Sequence, residues 1–94
     1  MPRLSDTEIQ QALGTLPGWA FEDGALRKPF TFPAFLDGIA FVNRVAALAE
    51  QANHHPDLAI AYTRITLTLA THDAGGVTEK DVDLARQIEA AAHG

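Results

Sequence analysis

The sequence of 94 residues predicts an α+β fold: a four-stranded antiparallel sheet with three helices on one face, in the order αββαββα. Two observations lead to this class. Segments in which apolar and polar residues alternate occur in two pairs, each joined by a short turn, as in antiparallel hairpins. Three further segments repeat apolar residues every three or four positions, as helices packed on one face of a sheet do. We expect residues 1–94 to form a single domain, because this length supports one core.

The first third of the chain predicts a short helix and then a hairpin. Ser5 and Glu8 form a capping-box pattern, so a helix should begin there and run to about Leu13. Aromatic residues then alternate with other side chains on both sides of Asp23-Gly24, a dipeptide that favours tight hairpin turns. Pro29 lacks an amide donor, and the second strand of this hairpin should therefore have an edge or a bulge there.

A long helix is predicted between Pro33, which suits a first helical position, and Asn53. Apolar residues recur there at three- and four-residue steps over roughly 20 residues, which corresponds to about 30 Å of helix. The helix should end at Asn53, because the residue before Pro56 is driven out of helical geometry.

The last third predicts a second hairpin and a final helix. Strands are expected over residues 59–62 and 65–71, the second with an apolar face and a more polar face. Gly75-Gly76 should end this strand. Thr78 is suited to cap the last helix, which carries its own apolar stripe.

Composition excludes several classes of function. The absence of cysteine excludes disulfides, a thiolate nucleophile and cysteine-based metal sites. The net charge of -5 and the scatter of the seven basic residues argue against binding to nucleic acid, which requires clustered cations. No window reaches the roughly 18 apolar residues of a membrane span, and no secretory signal is visible, so we expect a cytoplasmic protein without membrane contact.

Three of the four histidines lie in two short segments, and this clustering indicates where the function resides. His54 and His55 stand where the long helix gives way to a strand, and His72 follows the last strand. An imidazole, with an ordinary pKa of about 6.5, gives or takes a proton near neutral pH. Three such side chains would form a proton-transfer site or a metal site.

The alternatives to proton transfer are a metal site and a structural role. Adjacent residues in extended backbone point to opposite sides, so His54 and His55 would not readily share one ion, and we expect no bound metal. A histidine pair at a helix end also interacts favourably with the helix dipole. Asp81 has a structural alternative too, because with Thr78 it resembles a capping box. Tyr62 could line a pocket or pack at a sheet edge.

The histidine segments resemble the signature of the pterin-4a-carbinolamine dehydratases. That signature has a polar residue, paired histidines followed by proline, an aromatic residue, a further histidine and an aspartate. The element order and the chain length are similar to the family as well. Two positions depart from some members, which have an acidic residue where this chain has Asn53 and a tryptophan where it has Leu58. The positions that carry the resemblance are Glu50, His54, His55, Pro56, Tyr62, His72 and Asp81.

The resemblance implies a hydro-lyase that dehydrates 4a-hydroxytetrahydropterin by histidine acid–base catalysis, with no cofactor. By position, His55 is the leading general acid/base on the C4a hydroxyl, while His54 and His72 bind the pterin and assist the proton transfers. Glu50 lies one helical turn before His54 and could orient an imidazole or accept a pterin N–H. The expected substrate-binding residues are Glu50, Asn53, Thr71, Asp73 and Asp81.

The resemblance also implies partners. The substrate would be a small pterin, the chain would form a homodimer or a homotetramer, and an aromatic amino acid hydroxylase would be its functional neighbour. The alternative reading is a non-catalytic dimerisation or assembly protein on the same scaffold. An interaction protein has no physical need for three histidines, so their presence favours the enzyme.

Overall fold

A computed structural model describes residues 2–93 and confirms the α+β class, the element order and the three helices on one face of the sheet. No helix in this range is both long and apolar enough to cross a membrane. The elements are α1 (Asp6–Leu13), β1 (Ala20–Glu22), β2 (Ala25–Thr31), α2 (Phe35–Ala52), β3 (Asp57–Ala61), β4 (Arg64–Leu69), a turn of 3-10 helix (His72–Ala74) and α3 (Glu79–His93).

All neighbouring strands of the sheet are antiparallel, and their order is β1-β2-β4-β3. β2 pairs with β4 in an unbroken register that includes Pro29 opposite Thr66, so there is no bulge at the proline. The short strand β1 pairs only with Ala25–Arg27. At Pro29, β2 therefore has a partner on one side only, which is the local edge that the proline predicted.

The core lies between the helices and one face of the sheet. Ile65, Leu67 and Leu69 of β4 are fully buried on this face, whereas Thr66 and Thr68 on the other face are half-buried. The alternation predicted for this strand is therefore confirmed. Helix α2 approaches closely, since a Cβ added at Gly38 would stand 3.4 Å from the Cδ1 atom of Ile65.

Element boundaries differ from the sequence-based expectation by a few residues. β3 begins at Asp57, directly after Pro56, and not at residue 59. It ends before Tyr62, whose φ of 53° places it in the left-handed region within the tight turn to β4. Helix α2 begins at Phe35 rather than Pro33, because Ala34 is still extended and serves as its N-cap. Backbone geometry determines where an element begins and ends, and hydrophobic periodicity does not predict these boundaries.

A partly buried ion pair joins α3 to the first hairpin. Lys28 Nζ and Trp19 Nε1 both donate to Glu89 Oε1, the tryptophan at 2.8 Å, and Lys28 also donates to the carbonyl of Pro17. Burial alone would raise the pKa of Glu89, but the hydrogen bonds from Lys28 and Trp19 and the lysine charge outweigh it and lower the pKa below 4.5.

We expect Glu89→Gln to reduce the free energy of unfolding at pH 7 by about 1.5–3 kcal/mol, the range for hydrogen bonds to a charged group. The pKa of Glu89 is lower in the folded chain than in the unfolded chain. The stabilisation is therefore fully present above the unfolded pKa and is lost as pH falls through the folded pKa. Urea unfolding at several pH values should show that parent and variant converge in acid.

The matched control is Glu22→Gln, because Glu22 is exposed and lies 4.0 Å from Arg27 in a weak surface pair. This change should have little effect at any pH. A Glu89→Gln deficit of equal size at neutral and acid pH would contradict the assignment of the pKa shift to this ion pair.

Candidate active site

The end of α2 fixes the positions of the paired histidines. Asn53 adopts the left-handed conformation with φ 50° and ψ 42°, which Asn tolerates better than most residues, and it ends the helix. The amide of His54 then donates to the carbonyl of Ala49 at 3.1 Å. Since Pro56 leads directly into β3, His54 and His55 are held in a short connection between two regular elements.

The third histidine is presented by a small loop after β4. Thr71 and Gly76 face each other in an isolated antiparallel bridge, with the amide of Thr71 2.8 Å from the carbonyl of Gly76. The 3-10 turn His72–Ala74 forms the tip of this loop, and Gly75 closes it with φ 74°. His72 and Asp73 are exposed at that tip.

Strand pairing brings the two histidine segments together. β3 and β4 are antiparallel, and Asp57 at the start of β3 lies opposite Thr68 near the end of β4. The residues just before β3 therefore meet those just after β4, although His55 and His72 are far apart along the chain. Tyr62, in contrast, is exposed at the opposite end of this hairpin, in the turn between the two strands.

The two segments surround a cavity of about 440 Å³, within the range of small-molecule sites. Six of the eight sequence-predicted site residues line it. Glu50 and Asp81 do not line it and instead contact histidines. The sequence-based prediction did not include Lys80. Its position next to Asp81, in the first turn of α3, was the one signal that could have identified it as a lining residue. The lining residues are Asn53, His54, His55, Ala70, Thr71, His72, Asp73 and Lys80.

His54 is held by the buried carboxylate of Asp81. Its Nε2 lies 2.5 Å from Asp81 Oδ1, and the side chain of Asp81 is 0 % exposed. The other oxygen, Oδ2, accepts hydrogen bonds from the amide of Thr78 at 2.9 Å and from the hydroxyl of Thr71 at 2.8 Å. Asp81 thus binds the N-cap residue of α3, as the structural alternative predicted, and also contacts a predicted catalytic residue.

Thr71 lines the cavity, but its polar groups are directed elsewhere. Its hydroxyl contacts Asp81 and the hydroxyl of Thr78, and its amide contacts Gly76. The hydroxyl and the amide of Thr71 thus support the site from within, and a direct contact of Thr71 with substrate stays a prediction.

His55 is held by a different carboxylate, that of Glu50, whose Oε2 is hydrogen-bonded to His55 Nε2. Glu50 lies in the last turn of α2, and both side chains are more than half exposed. A carboxylate beside an imidazole orients the ring and stabilises the imidazolium that forms during proton transfer. The cavity therefore has two histidines with carboxylate partners, one partner buried and the other in solvent.

The same contacts direct the paired histidines away from a shared ion. The Nε2 atoms of His54 and His55 are hydrogen-bonded to different carboxylates. Among residues 2–93, no group of three or more His, Asp or Glu side chains converges as a metal site would require.

The sequence and the fold are both similar to those of known proteins. Residues 2–91 match the family described as pterin 4 alpha carbinolamine dehydratase. A relative from Roseiflexus sp. (strain RS-1), named as a pterin-4-alpha-carbinolamine dehydratase, is 55% identical over 93% of this chain and 94% of its own length. A relative of the same name from Mycobacterium sp. (strain KMS) is 51% identical over 95% of both chains.

Two solved structures share the fold. A protein from Brucella melitensis described as a transcriptional coactivator/pterin dehydratase is 40% identical, with a TM-score of 0.93 over 96% of this chain and 98% of its own. A pterin dehydratase-like protein identified as a RuBisCO assembly factor in the alpha-carboxysome is 25% identical. Its TM-score is 0.66 over 79% of this chain and 86% of its own.

We expect protein purified without chelator to contain well below one zinc or iron per chain, because the two adjacent imidazoles are already directed to separate carboxylates. Elemental analysis by plasma mass spectrometry measures this directly. One tightly held metal per chain in the parent, absent from a His54→Ala, His72→Ala double variant, would contradict the expectation.

Proposed function

Because the chain belongs to the pterin 4 alpha carbinolamine dehydratase family, we propose that it dehydrates 4a-hydroxytetrahydropterin to quinonoid dihydropterin and water. The observation that carries the proposal is the convergence of three histidines on one cavity, in a chain that matches the family over residues 2–91. A relative's name alone would leave open whether this chain retains the chemistry. The imidazoles that the proposed reaction would use line the same cavity.

The reaction requires only proton transfers. The bond between C4a and its hydroxyl oxygen breaks, that oxygen takes a proton and leaves as water, and N5 loses its proton as a double bond forms between N5 and C4a. No electrons are gained or lost overall. A positioned general acid or base typically contributes about 10²- to 10⁴-fold, most effectively when its pKa is near the working pH, which suits imidazole.

The three histidines divide this work in our proposal. His55, oriented by Glu50, delivers the proton to the C4a hydroxyl. His54 and His72 bind the pterin and assist the proton transfers. Asn53 and Asp73 also line the cavity and supply polar groups for the heterocycle, where the carboxylate of Asp73 would accept N–H donors of the pyrimidine ring.

The product would return to the pool of pterin cofactor. The substrate class is the adduct that a pterin-dependent aromatic amino acid hydroxylase leaves behind, and we propose that the chain acts after such an enzyme in tetrahydrobiopterin-type recycling. The reaction also proceeds without a catalyst, so a modest rate enhancement would suffice.

A non-catalytic role in assembly is the second candidate, because one structural relative is described as a RuBisCO assembly factor. The exposed apolar side chains of this chain are compatible with such a role. The complete set of cavity histidines favours the enzyme, since binding to a protein partner would not require them.

We further propose that the chain forms at least a homodimer through β3. This strand lies at the sheet edge, and all five of its residues are exposed. Leu58 and Ile60 are 39% and 46% exposed, although they pair with the core residues Leu67 and Ile65. An edge with apolar side chains and free backbone groups favours pairing with a second copy, and two-fold symmetry is the commonest arrangement.

Replacing His55 by Ala should lower kcat for dehydration at least about tenfold while the fold is retained, because the leading proton donor is lost. Stopped-flow absorbance, following the decay of 4a-hydroxytetrahydropterin with and without protein, measures this, and circular dichroism checks the fold. His93→Ala is the matched control, since His93 is exposed near the end of α3.

His54→Ala and His72→Ala should mainly weaken pterin binding, with some loss of rate. If the parent does not accelerate the decay at all, the proposed function is wrong. If the parent accelerates the decay and His55→Ala keeps the parental rate, the role proposed for His55 is wrong.

The double substitution Leu58→Glu, Ile60→Glu should convert the assembly to monomers, because two charges would be buried at the proposed interface. Multi-angle light scattering at micromolar concentration measures the mass of parent and variant. Ala59→Glu is the control, since Ala59 is on the same strand but points to the other face, opposite Thr66. A monomeric parent would refute the proposed dimer.

A further inference from the structure

We propose that Thr71 and Thr78 are positioning residues for His54. Their hydroxyls orient the carboxylate of Asp81 so that neutral His54 carries its proton on Nε2. Nδ1 is then the atom through which His54 exchanges protons with the substrate. The kinetic part of this inference rests on the proposed function, whereas the assignment of the proton does not.

The contacts of Asp81 determine which group donates. Oδ2 receives the backbone amide of Thr78 at 2.9 Å, and an amide can only donate. The hydroxyl of Thr71 donates to the same oxygen at 2.8 Å. Oδ1 faces Nε2 of His54, and an ionised carboxylate can only accept, so the proton between them is assigned to the ring nitrogen.

The acceptor of each threonine hydroxyl hydrogen is then determined. Thr71 has one hydroxyl hydrogen, and it is donated to Asp81. In the 2.9 Å contact between the two hydroxyls, Thr78 must therefore be the donor and Thr71 the acceptor. The oxygen of Thr78 in turn accepts from the amide of Lys80 at 3.3 Å. Every donor in this chain of hydrogen bonds leads toward Asp81.

The other ring nitrogen of His54 is accessible to solvent, in a residue that lines the cavity. Nδ1 makes no hydrogen bond to residues 2–93, yet no buried side-chain nitrogen or oxygen in this part of the protein lacks a partner. Nδ1 must therefore be accessible to solvent, and His54 borders the cavity. With Nε2 protonated toward Asp81, the lone pair of neutral His54 lies on Nδ1, where a bound pterin would meet it.

The hydrogen-bond chain explains why Thr78 and Thr71 carry hydroxyls at this place. Thr78 is fully buried, and Thr71 is half-buried. Valine would fill either site with almost the same volume but would remove a donor to Asp81 or to its neighbour. In Thr71→Val, Oδ2 would keep only the amide of Thr78, the carboxylate would be held less firmly, and the proton of neutral His54 would distribute over both nitrogens.

The test combines the parent with Thr71→Val and Thr71→Ser. Nitrogen-15 NMR of labelled histidine at pH about 8.5, well above the ordinary imidazole pKa of about 6.5, distinguishes a protonated ring nitrogen from an unprotonated one. We expect the parent His54 to show protonated Nε2 and unprotonated Nδ1. The shifts should move toward an average in Thr71→Val and return to the parental values in Thr71→Ser.

Kinetics supply the second measurement. Thr71→Val should lower kcat/KM about fivefold, as expected for one lost hydrogen bond, with the loss divided between KM and kcat as in His54→Ala. Thr71→Ser should restore both. Thr68→Val is the matched control, because it makes the same chemical change on the open face of the adjacent strand. Thr78→Val would also remove a helix cap, so a loss of activity in that variant could reflect misfolding. Thr78→Ser keeps the hydroxyl and should retain the parental kcat.

Three outcomes would overturn the inference. Parental NMR shifts in folded Thr71→Val would show that the hydroxyl does not set the tautomer. A protonated Nδ1 in the parent would reverse the assignment. A rise in KM in Thr71→Val that His54→Ala does not show would make Thr71 a binding residue. If the parent shows no dehydratase activity, the proposed function fails separately, and the NMR result still decides the position of the proton.

Discussion

The arrangement of the site depends on one buried carboxylate. Asp81 is wholly inside the protein, where an isolated charge would cost several kcal/mol, and three donors surround it. Those donors come from the end of α2, from the loop after β4 and from the start of α3. The carboxylate can be satisfied only if all three segments are in place. The buried position of Asp81 in the last helix therefore depends on the same segments that form the site.

The sheet brings together segments that are distant in the chain. Antiparallel pairing of β3 with β4 places the residues before one strand beside the residues after the other, and the tight turn at Tyr62 fixes the register. A shift of this register by one residue would reverse the faces of the core residues in β4. Burial of Ile65, Leu67 and Leu69 thus also fixes the distance between His55 and His72.

The sequence was sufficient to predict features that depend on residues close together in the chain. The capping box at Ser5 and Glu8 is present in the structure with both hydrogen bonds, and the histidine segments meet as their resemblance implied. The sequence was insufficient to predict geometry that depends on tertiary contacts. Nothing near Asp81 in the chain indicates that its second oxygen faces His54, 27 residues away. The left-handed turn at Asn53 and the inward hydroxyl of Thr71 likewise depend on their surroundings.

The two neighbouring histidines differ in how they meet the solvent. His55 and Glu50 are both largely exposed, whereas the side chain of His54 is 11 % exposed and that of Asp81 is 0 % exposed. Dissolved ions screen charges that face water far more than they screen charges within the protein. Ionic strength therefore acts on the two imidazoles unequally, although they are consecutive in the chain. A change in salt concentration would alter the electrostatic environment of the outer histidine while that of the inner one is retained.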